Sequence, residues 1–309
     1  MRKGRADEIL PTTCCENETQ ADAVCHEHHH EFEPYGSARG DERTVITVRA
    51  VSGLSGDMIL AGLASLVGLD QKVLDGFVEE LGLGILRGTL TLERRSVNHI
   101  AGAGCRIRLP HEHAHRNLRD ITEIINAGSM PEEAKNLAMR AFSILADAEG
   151  EVHGISPKEV TFHEVGALDS ILDICLACRF FLHIRPYRFI CNPLPLADGV
   201  VQCAHGPVPA PAPAALLLLR GMPVCGFSGS GETVTPTALC LLRVMGADFG
   251  PWPHMVLRKS VISYGNKVFA GAANGAVWAL GTASPSADAS LPKYPAHARV
   301  WAEGHTSHV

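Results

Sequence analysis

The stretch TVITVRAVSGLSGDMILAGLASLV, residues 44–67, indicates the class of fold. Its first part, Thr44 to Val51, is rich in β-branched residues and predicts a strand. A turn with two glycines follows, and then an apolar run that predicts a helix from about Met58 to Val67. A strand that continues through a glycine turn into a helix is typical of a fold that mixes both kinds of secondary structure.

The rest of the chain continues this mixture. Periodicity predicts helices at residues 71–81, 118–127, 131–152, 169–182, 214–219 and 235–245, and strands at residues 89–97, 102–109, 160–162, 188–191, 256–263 and 276–280. We therefore expect a mixed α/β (α+β) fold with one main domain at residues 44–282. The His- and Cys-containing residues 1–43 and the Pro/Ala-rich residues 283–309 are expected to form flexible tails.

Two irregular segments lie inside this domain. Alternating prolines in residues 204–214 predict an extended polyproline II path, and His205 stands ahead of the first of them. Residues 226–231 predict a glycine-rich turn, and the next helix is predicted to have Thr235 as its N-cap.

Composition excludes several classes of function. The chain has 309 residues, a formal net charge of −6 and no long basic run, which argues against a nucleic-acid partner and an anionic membrane surface. No segment reaches the roughly 18 apolar residues of a membrane span, and the polar N-terminus lacks the apolar core of a signal peptide. We expect a cytoplasmic protein whose ten cysteines are reduced.

The segment FHEVGALDSILDI, residues 162–174, predicts a metal site. It places His163, Glu164, Asp169 and Asp173 among apolar residues at a strand-to-helix turn, and a bound cation would remove the repulsion between its carboxylates. Mixed nitrogen and oxygen donors suit Ni(II), Zn(II), Mn(II) or Mg(II). The alternative is that Asp169 complements the helix dipole and that His163 is an ordinary core residue.

Histidines elsewhere are further candidates for metal binding. His111, His113 and His115 alternate, so in an extended chain their rings would share one face. An exposed polar loop is the alternative for this triplet. His205 precedes the proline-rich segment, which could hold its ring in place, although a lone histidine is often structural.

Two turns are candidates for binding phosphate. Ser55, Gly56 and Asp57 lie at a helix start that offers free N–H groups, but this turn lacks the lysine of a P-loop. Thr235 and Thr237 open a later helix in the same way. Helix capping explains Asp57 and Thr235 equally well.

Six motifs together resemble the nickel-pincer cofactor insertion proteins, the LarC family. They are SGLSGDM at 52–58, HRNLRDI at 115–121, ADAEGEVHG at 146–154, FHEVGALDSILDI at 162–174, HGPVPAPAPA at 205–214 and ETVTPTA at 232–238. The resemblance implies insertion of Ni(II) into pyridinium-3,5-bisthiocarboxylic acid mononucleotide, with CTP and Mn(II) or Mg(II), in the maturation of lactate racemase. For this implied reaction, the candidate catalytic residues are His163, Glu164 and His205.

The chain also departs from the family pattern. Ala238 replaces the usual glycine of a TPTG motif, and a closing GYGAG-like stretch is altered at Tyr264–Lys267. A Pro/Ala-rich tail stands where the family continues into a domain that handles CTP. We therefore expect that a separate C-terminal chain could be a partner. A non-catalytic nickel-binding chaperone and a metal-dependent phosphoester hydrolase are the alternative functions.

Overall fold

The computed structural model describes residues 43–109, 115–162 and 165–284. The helices within these residues are α1 (Gly56–Val67), α2 (Gln71–Glu79), α3 (Leu118–Ala127), α4 (Glu132–His153), α5 (Leu168–Ile184), α6 (Pro213–Leu219) and α7 (Pro236–Val244). The strands are β1 (Thr44–Ala50), β2 (Leu90–Val97), β3 (Ile100–Ile107), β4 (Arg116–Asn117), β5 (Thr161–Phe162), β6 (Arg188–Cys191), β7 (Leu194–Asp198), β8 (Val200–Cys203), β9 (Gly206–Pro209), β10 (Val224–Ser230), β11 (Asp248–Phe249), β12 (Met255–Ser263) and β13 (Ala276–Ala283). The predicted mixed fold is confirmed.

A mixed sheet organises the described part of the chain. Seven strands follow the order β11-β6-β1-β13-β12-β3-β2, with β1 near the middle. Strand β1 is parallel to β6 and antiparallel to β13, while β12 is parallel to β3. The chain therefore returns to the centre of the sheet with its last strand, which brings residues near 264–275 beside the turn that follows β1.

Helix α1 lies unusually close to this sheet because one of its residues lacks a side chain. A Cβ atom on Gly62 would lie 2.3 Å from the indole ring of Trp278 on β13. Trp278 is fully buried, and its Nε1 donates a hydrogen bond of 2.9 Å to the hydroxyl of Ser263. Helix α5 covers α1 from the other side, and α4 packs in turn against α5, α6 and α7.

The prediction of a glycine-rich turn at residues 226–231 is wrong for most of the segment. Residues 224–230 form β10, which pairs in parallel with β7. The turn itself is confined to Gly231, whose φ of +78° favours glycine. Glycine content alone suggested a turn, whereas the pairing depends on a partner strand that begins 30 residues earlier at Leu194.

The predicted polyproline path is also wrong in its first half. Residues 206–209 form β9, which pairs antiparallel with β8, and His205 lies in the turn between these strands. Pro207 faces Gln202 and Pro209 faces Val200. A two-stranded ribbon has two free edges, so it tolerates residues without an N–H group.

The predicted domain limits, 44–282, stay a prediction, and residues 1–42 and 285–309 lie outside the described residues. None of the helices in the part of the chain that the structure describes is long and apolar enough to cross a membrane.

Candidate functional site: a carboxylate cleft between two joined loops

Two loops that are far apart in sequence are joined by backbone hydrogen bonds. The loop after β1 and the loop before α7 meet where the N–H of Leu54 donates to the carbonyl of Thr233 at 2.9 Å. The N–H of Thr235 donates back to the carbonyl of Leu54 at 3.1 Å. Gly53 permits this contact because a Cβ atom there would lie 2.1 Å from the Thr233 oxygen. Both predicted phosphate turns therefore belong to one wall.

This wall borders a cleft of about 580 Å³, a volume within the usual range for small-molecule sites. The opposite sides come from the start of α5, from β3 and from the loop between β12 and β13. Residues with polar side chains that line the cleft include Ser52, Ser55, Asp57, Cys105, Asp169, Asp173, Glu232, Thr233, Thr235, Tyr264, Asn266, Lys267 and Asn274.

Asp173 is the most unusual group in this cleft. Its Oδ1 atom is buried and has no hydrogen-bond partner among the residues that the structure describes, although part of the residue remains open to the cleft. Burial raises the pKa of this carboxyl well above its ordinary value, and the nearby charges of Asp57 and Asp169 raise it further. A buried carboxylate without partners is costly, so Asp173 either holds a proton or faces a cation.

Asp57 is the second buried acid, but unlike Asp173 it is hydrogen-bonded. Its Oδ1 accepts a short hydrogen bond from the Ser55 hydroxyl and one of 3.0 Å from the N–H of Met58. Burial raises the pKa of Asp57, while these hydrogen bonds and the charge of Arg95 partly offset that rise. Ser55 is therefore oriented by Asp57, and the carboxyl can exchange a proton closer to neutral pH than a free aspartate.

Gly56 and Thr237 pack directly around Asp173. A Cβ atom on Gly56 would lie 2.7 Å from Cγ2 of Thr237 and 3.2 Å from Oδ2 of Asp173. The absence of a side chain at Gly56 thus lets α1, α5 and α7 converge on the buried carboxyl. Thr235 caps α7, as predicted, because its hydroxyl accepts a hydrogen bond of 3.3 Å from the N–H of Ala238.

Asp169 lies on the exposed first turn of α5, one turn before Asp173. Its carboxylate accepts a hydrogen bond of 2.7 Å from the N–H of Ser170. The structure therefore brings Asp57, Asp169 and Asp173 to the same cleft, with Asp173 the most deeply buried.

His205 lies at a different place. Its ring centroid is 4.8 Å from that of His153 at the end of α4, and the Nε2 atom of His153 is 3.5 Å from a carboxylate oxygen of Glu149. His205 is not among the residues that line the cleft. The structure therefore does not bring this catalytic candidate together with the acidic residues.

The other histidine and glutamate candidates are mostly not described. His111, His113, His163 and Glu164 lie outside the described residues. His115 is described and exposed, and it does not line the cleft. Within residues 43–109, 115–162 and 165–284, no three His, Cys, Asp or Glu side chains are grouped so that they could hold a metal ion by themselves.

Sequence reasoning missed several cleft residues. Cys105 is buried but lines the cleft, and burial together with the charges of Asp173 and Asp57 raises the pKa of its thiol. The altered stretch Tyr264–Lys267 also lines the cleft. Nζ of Lys267 donates to the carbonyls of Ser230 and Glu232, at 2.9 and 3.0 Å. The departure from the family pattern was the signal that could have drawn attention to this stretch.

Comparison with known proteins agrees with the family suggested by the motifs. Residues 46–291 match the sequence profile of the family described as nickel insertion protein. A protein of Geobacter metallireducens named "Putative nickel insertion protein" is 39% identical over 218 residues, which cover 71% of this chain and 56% of that protein.

Two further relatives carry a more specific name, "Pyridinium-3,5-bisthiocarboxylic acid mononucleotide nickel insertion protein". The one from Nocardioides sp. is 36% identical over 69% of this chain and 53% of its own length. The one from Staphylococcus epidermidis is 32% identical over 71% of this chain and 54% of its own length.

The chain thus spans about half the length of the curated relatives it matches. No solved structure shows significant similarity to it. Since the family profile covers most of the sequence, the chain belongs to the nickel insertion protein family.

Proposed function

We propose that this chain takes part in inserting Ni(II) into pyridinium-3,5-bisthiocarboxylic acid mononucleotide, and that the carboxylate cleft is the place of insertion. The names of two relatives support the choice of substrate. The observation that carries the choice of site is the buried, unpartnered Oδ1 atom of Asp173. Such an atom fits a cation that arrives as substrate and leaves with the product.

Nickel would contact Asp173, with Asp169 at the rim and His163 and Glu164 supplied by the segment before α5. Ala167, the last residue of that segment, and Leu168, the first residue of α5, line the cleft. Imidazole and carboxylate donors suit Ni(II). If the sulfur atoms of the substrate complete the coordination of nickel, the protein can release the metal together with the product.

The chemistry replaces a C–H bond of the pyridinium ring with a C–Ni bond, while the two thiocarboxylate groups each donate a sulfur lone pair to nickel. The ring carbon therefore loses a proton that a base must accept. Asp57 suits this role because burial raises its pKa toward neutral pH. A general base works best when its pKa lies near the pH of the reaction. A carboxylate is favoured over His205, which lies beside His153 instead.

CTP with Mn(II) or Mg(II) is part of the same proposal, as is a role in maturing lactate racemase. A separate chain that resembles the remaining part of these relatives is a candidate partner for the CTP-dependent step. The 16 histidines of the sequence favour a second function, a nickel-binding chaperone that delivers the metal without turnover. A metal-dependent phosphoester hydrolase is the third candidate.

The test is a nickel transfer assay on the full chain. The protein is incubated with Ni(II) and the mononucleotide, with and without CTP and Mg(II), and the small molecule is analysed by mass spectrometry. Nickel insertion predicts a product that has gained one nickel and lost the ring proton, and the product should be absent with Asp173→Asn.

Three other outcomes would contradict the proposal. Nickel bound stoichiometrically, with an unchanged small molecule under every condition, would support the chaperone. Phosphate released from p-nitrophenyl phosphate with Mg(II), and lost in the same variant, would support the hydrolase. Equal product from wild type and Asp173→Asn would place insertion at another site, and Asp75→Asn provides the matched control because Asp75 is an aspartate on α2 that does not line the cleft.

A further inference from the structure

A groove on β2 and β3 continues from the carboxylate cleft. It has a volume of about 510 Å³ and shares Cys105, Ile107 and Asn266 with the cleft. Its other lining residues include three arginines, Arg94, Arg95 and Arg106. One continuous depression therefore has an acidic end and a basic end.

Arg95 is the arginine best placed to bind a ligand. It is half-buried on β2, opposite Gly102 of β3, and its side chain crosses β3 where a Cβ atom on Gly104 would lie 3.4 Å from Arg95 Cδ. The missing side chain at Gly104 therefore leaves room for Arg95 to lie across β3. The positive charge of Arg95 is close enough to Asp57 to lower the pKa of that carboxyl.

The guanidinium of Arg95 makes only weak contacts with the described part of the chain. Its two terminal nitrogens lie 3.4 and 3.5 Å from oxygens of Asn266, which is long for hydrogen bonds to a charged group. Within the described ranges it makes no ion pair. Arg106, by contrast, is engaged by Glu93 through contacts of 2.9 and 3.2 Å. Arg95 therefore retains donors in the planar arrangement that fits a phosphate.

Several N–H groups at the two turns predicted to bind phosphate already have partners within the protein. The N–H groups of Leu54 and Thr235 bond the opposite loop, those of Met58 and Ala238 bond side chains, and Pro236 has none. The carboxyls of the acidic end lie beside these turns and would repel a phosphate. Two of the three N–H donors of the Lys267 ammonium group are already hydrogen-bonded to main-chain carbonyls.

We propose that Arg95 binds the phosphate of the mononucleotide substrate and thereby directs the pyridinium ring toward Asp57 and Asp173. This inference rests on the proposed function. The phosphate of such a ligand would lie at the basic end of the depression. Its pyridinium ring would then lie at the acidic end, where the cation is held. The dianionic phosphate would be held by two parallel N–H donors.

The test compares binding of two probes to the full chain by isothermal titration calorimetry. Nicotinic acid mononucleotide carries a pyridinium ring, a ribose and a phosphate, and nicotinic acid riboside lacks only the phosphate. Wild type should bind the mononucleotide about 10-fold or more tightly than the riboside. Arg95→Gln should remove that preference, and Arg95→Lys should retain only part of it because an ammonium cannot bind in the two-pronged manner.

Arg87→Gln is the matched control because Arg87 is exposed and its partner, Glu79, lies on α2. It should leave the preference unchanged. Retention of the full preference by a folded Arg95→Gln protein would overturn the role of Arg95 and leave the proposed function standing. If wild type binds neither probe, the proposed substrate class fails as well. Arg95-dependent binding of CTP with Mg(II), without binding of the mononucleotide, would assign the phosphate to the other nucleotide and overturn the inference.

Discussion

Replacement of Asp173 by asparagine should remove divalent-cation binding from the cleft while leaving the fold intact. The amide has nearly the same shape as the carboxyl, so the packing of Gly56 and Thr237 around it should be retained. The substitution removes the full negative charge that a buried cation requires. At an effective dielectric constant of about 20, one pair of unit charges 4 Å apart is worth roughly 4 kcal/mol. A loss of affinity of about 100-fold, or 2.8 kcal/mol, is therefore a conservative expectation.

The assay is thermal unfolding of the full chain with and without Mn(II), which prefers oxygen ligands to the imidazoles of the N-terminal region. At a concentration 100 times its dissociation constant, the ion should stabilise wild type by about 2.7 kcal/mol. For a domain of this size that corresponds to about 5 to 10 °C in Tm. The variant should gain only about 0.4 kcal/mol, or roughly 1 °C, at the same concentration.

Asp75→Asn controls for the loss of one negative charge, since Asp75 lies on α2, away from the cleft, and its carboxylate accepts a hydrogen bond from Gln71 of the same helix. It should respond to Mn(II) as wild type does. Equal shifts for wild type and Asp173→Asn would refute the reasoning, because the buried carboxyl would then have no part in holding the cation.

Further predictions follow from the same packing and charges. Gly56→Ala should destabilise the protein by about 1–3 kcal/mol because the new methyl meets Thr237, and Thr237→Ser should restore part of that loss in the double variant. Gly76→Ala, at a helical position with open space around it, should instead stabilise by up to about 1 kcal/mol, and urea unfolding measures both. Gly62→Ala should cost about 1–3 kcal/mol through its clash with Trp278 and should quench or shift the indole fluorescence. In metal-free wild type, stability should fall as pH rises from the ordinary aspartate value of 3.8 through the raised pKa of Asp173, because the folded state binds the proton more tightly than the unfolded state. The Asp173→Asn variant should lack this part of the pH dependence, and unfolding measured at pH 5 and pH 9 would contradict the assignment if both proteins lost the same free energy.

Local patterns predicted the helices and the strands of the main sheet well, except for the two-residue edge strand β11. The predicted helix at 118–127 coincides with α3, and the strand at 188–191 coincides with β6. Each has a signal within its own residues, such as the capping box formed by Asn117 and Asp120 at the start of α3. The strand β10 had no such signal, since its glycines suggested a turn and its stability depends on pairing with β7.

The candidate site was predicted in its parts but not in its assembly. The segment that contains Asp173 and the loop that contains Asp57 were both singled out, yet nothing in the sequence showed that they meet. The link between Leu54 and Thr233 spans 179 residues, and only the three-dimensional arrangement of α1 and α7 creates it. Cys105 and Arg95 were not singled out as site residues because an apolar or charged residue on a strand gives no local sign of which cavity it borders.

The most direct test of the central claim is the location of nickel in a crystal of the full chain soaked with Ni(II), determined by anomalous scattering at the nickel absorption edge. We predict an anomalous peak within coordination distance of the Asp173 carboxylate, in the cleft that also contains Asp57. A peak found only elsewhere, for example beside His153 and His205, with none in the cleft, would contradict the account.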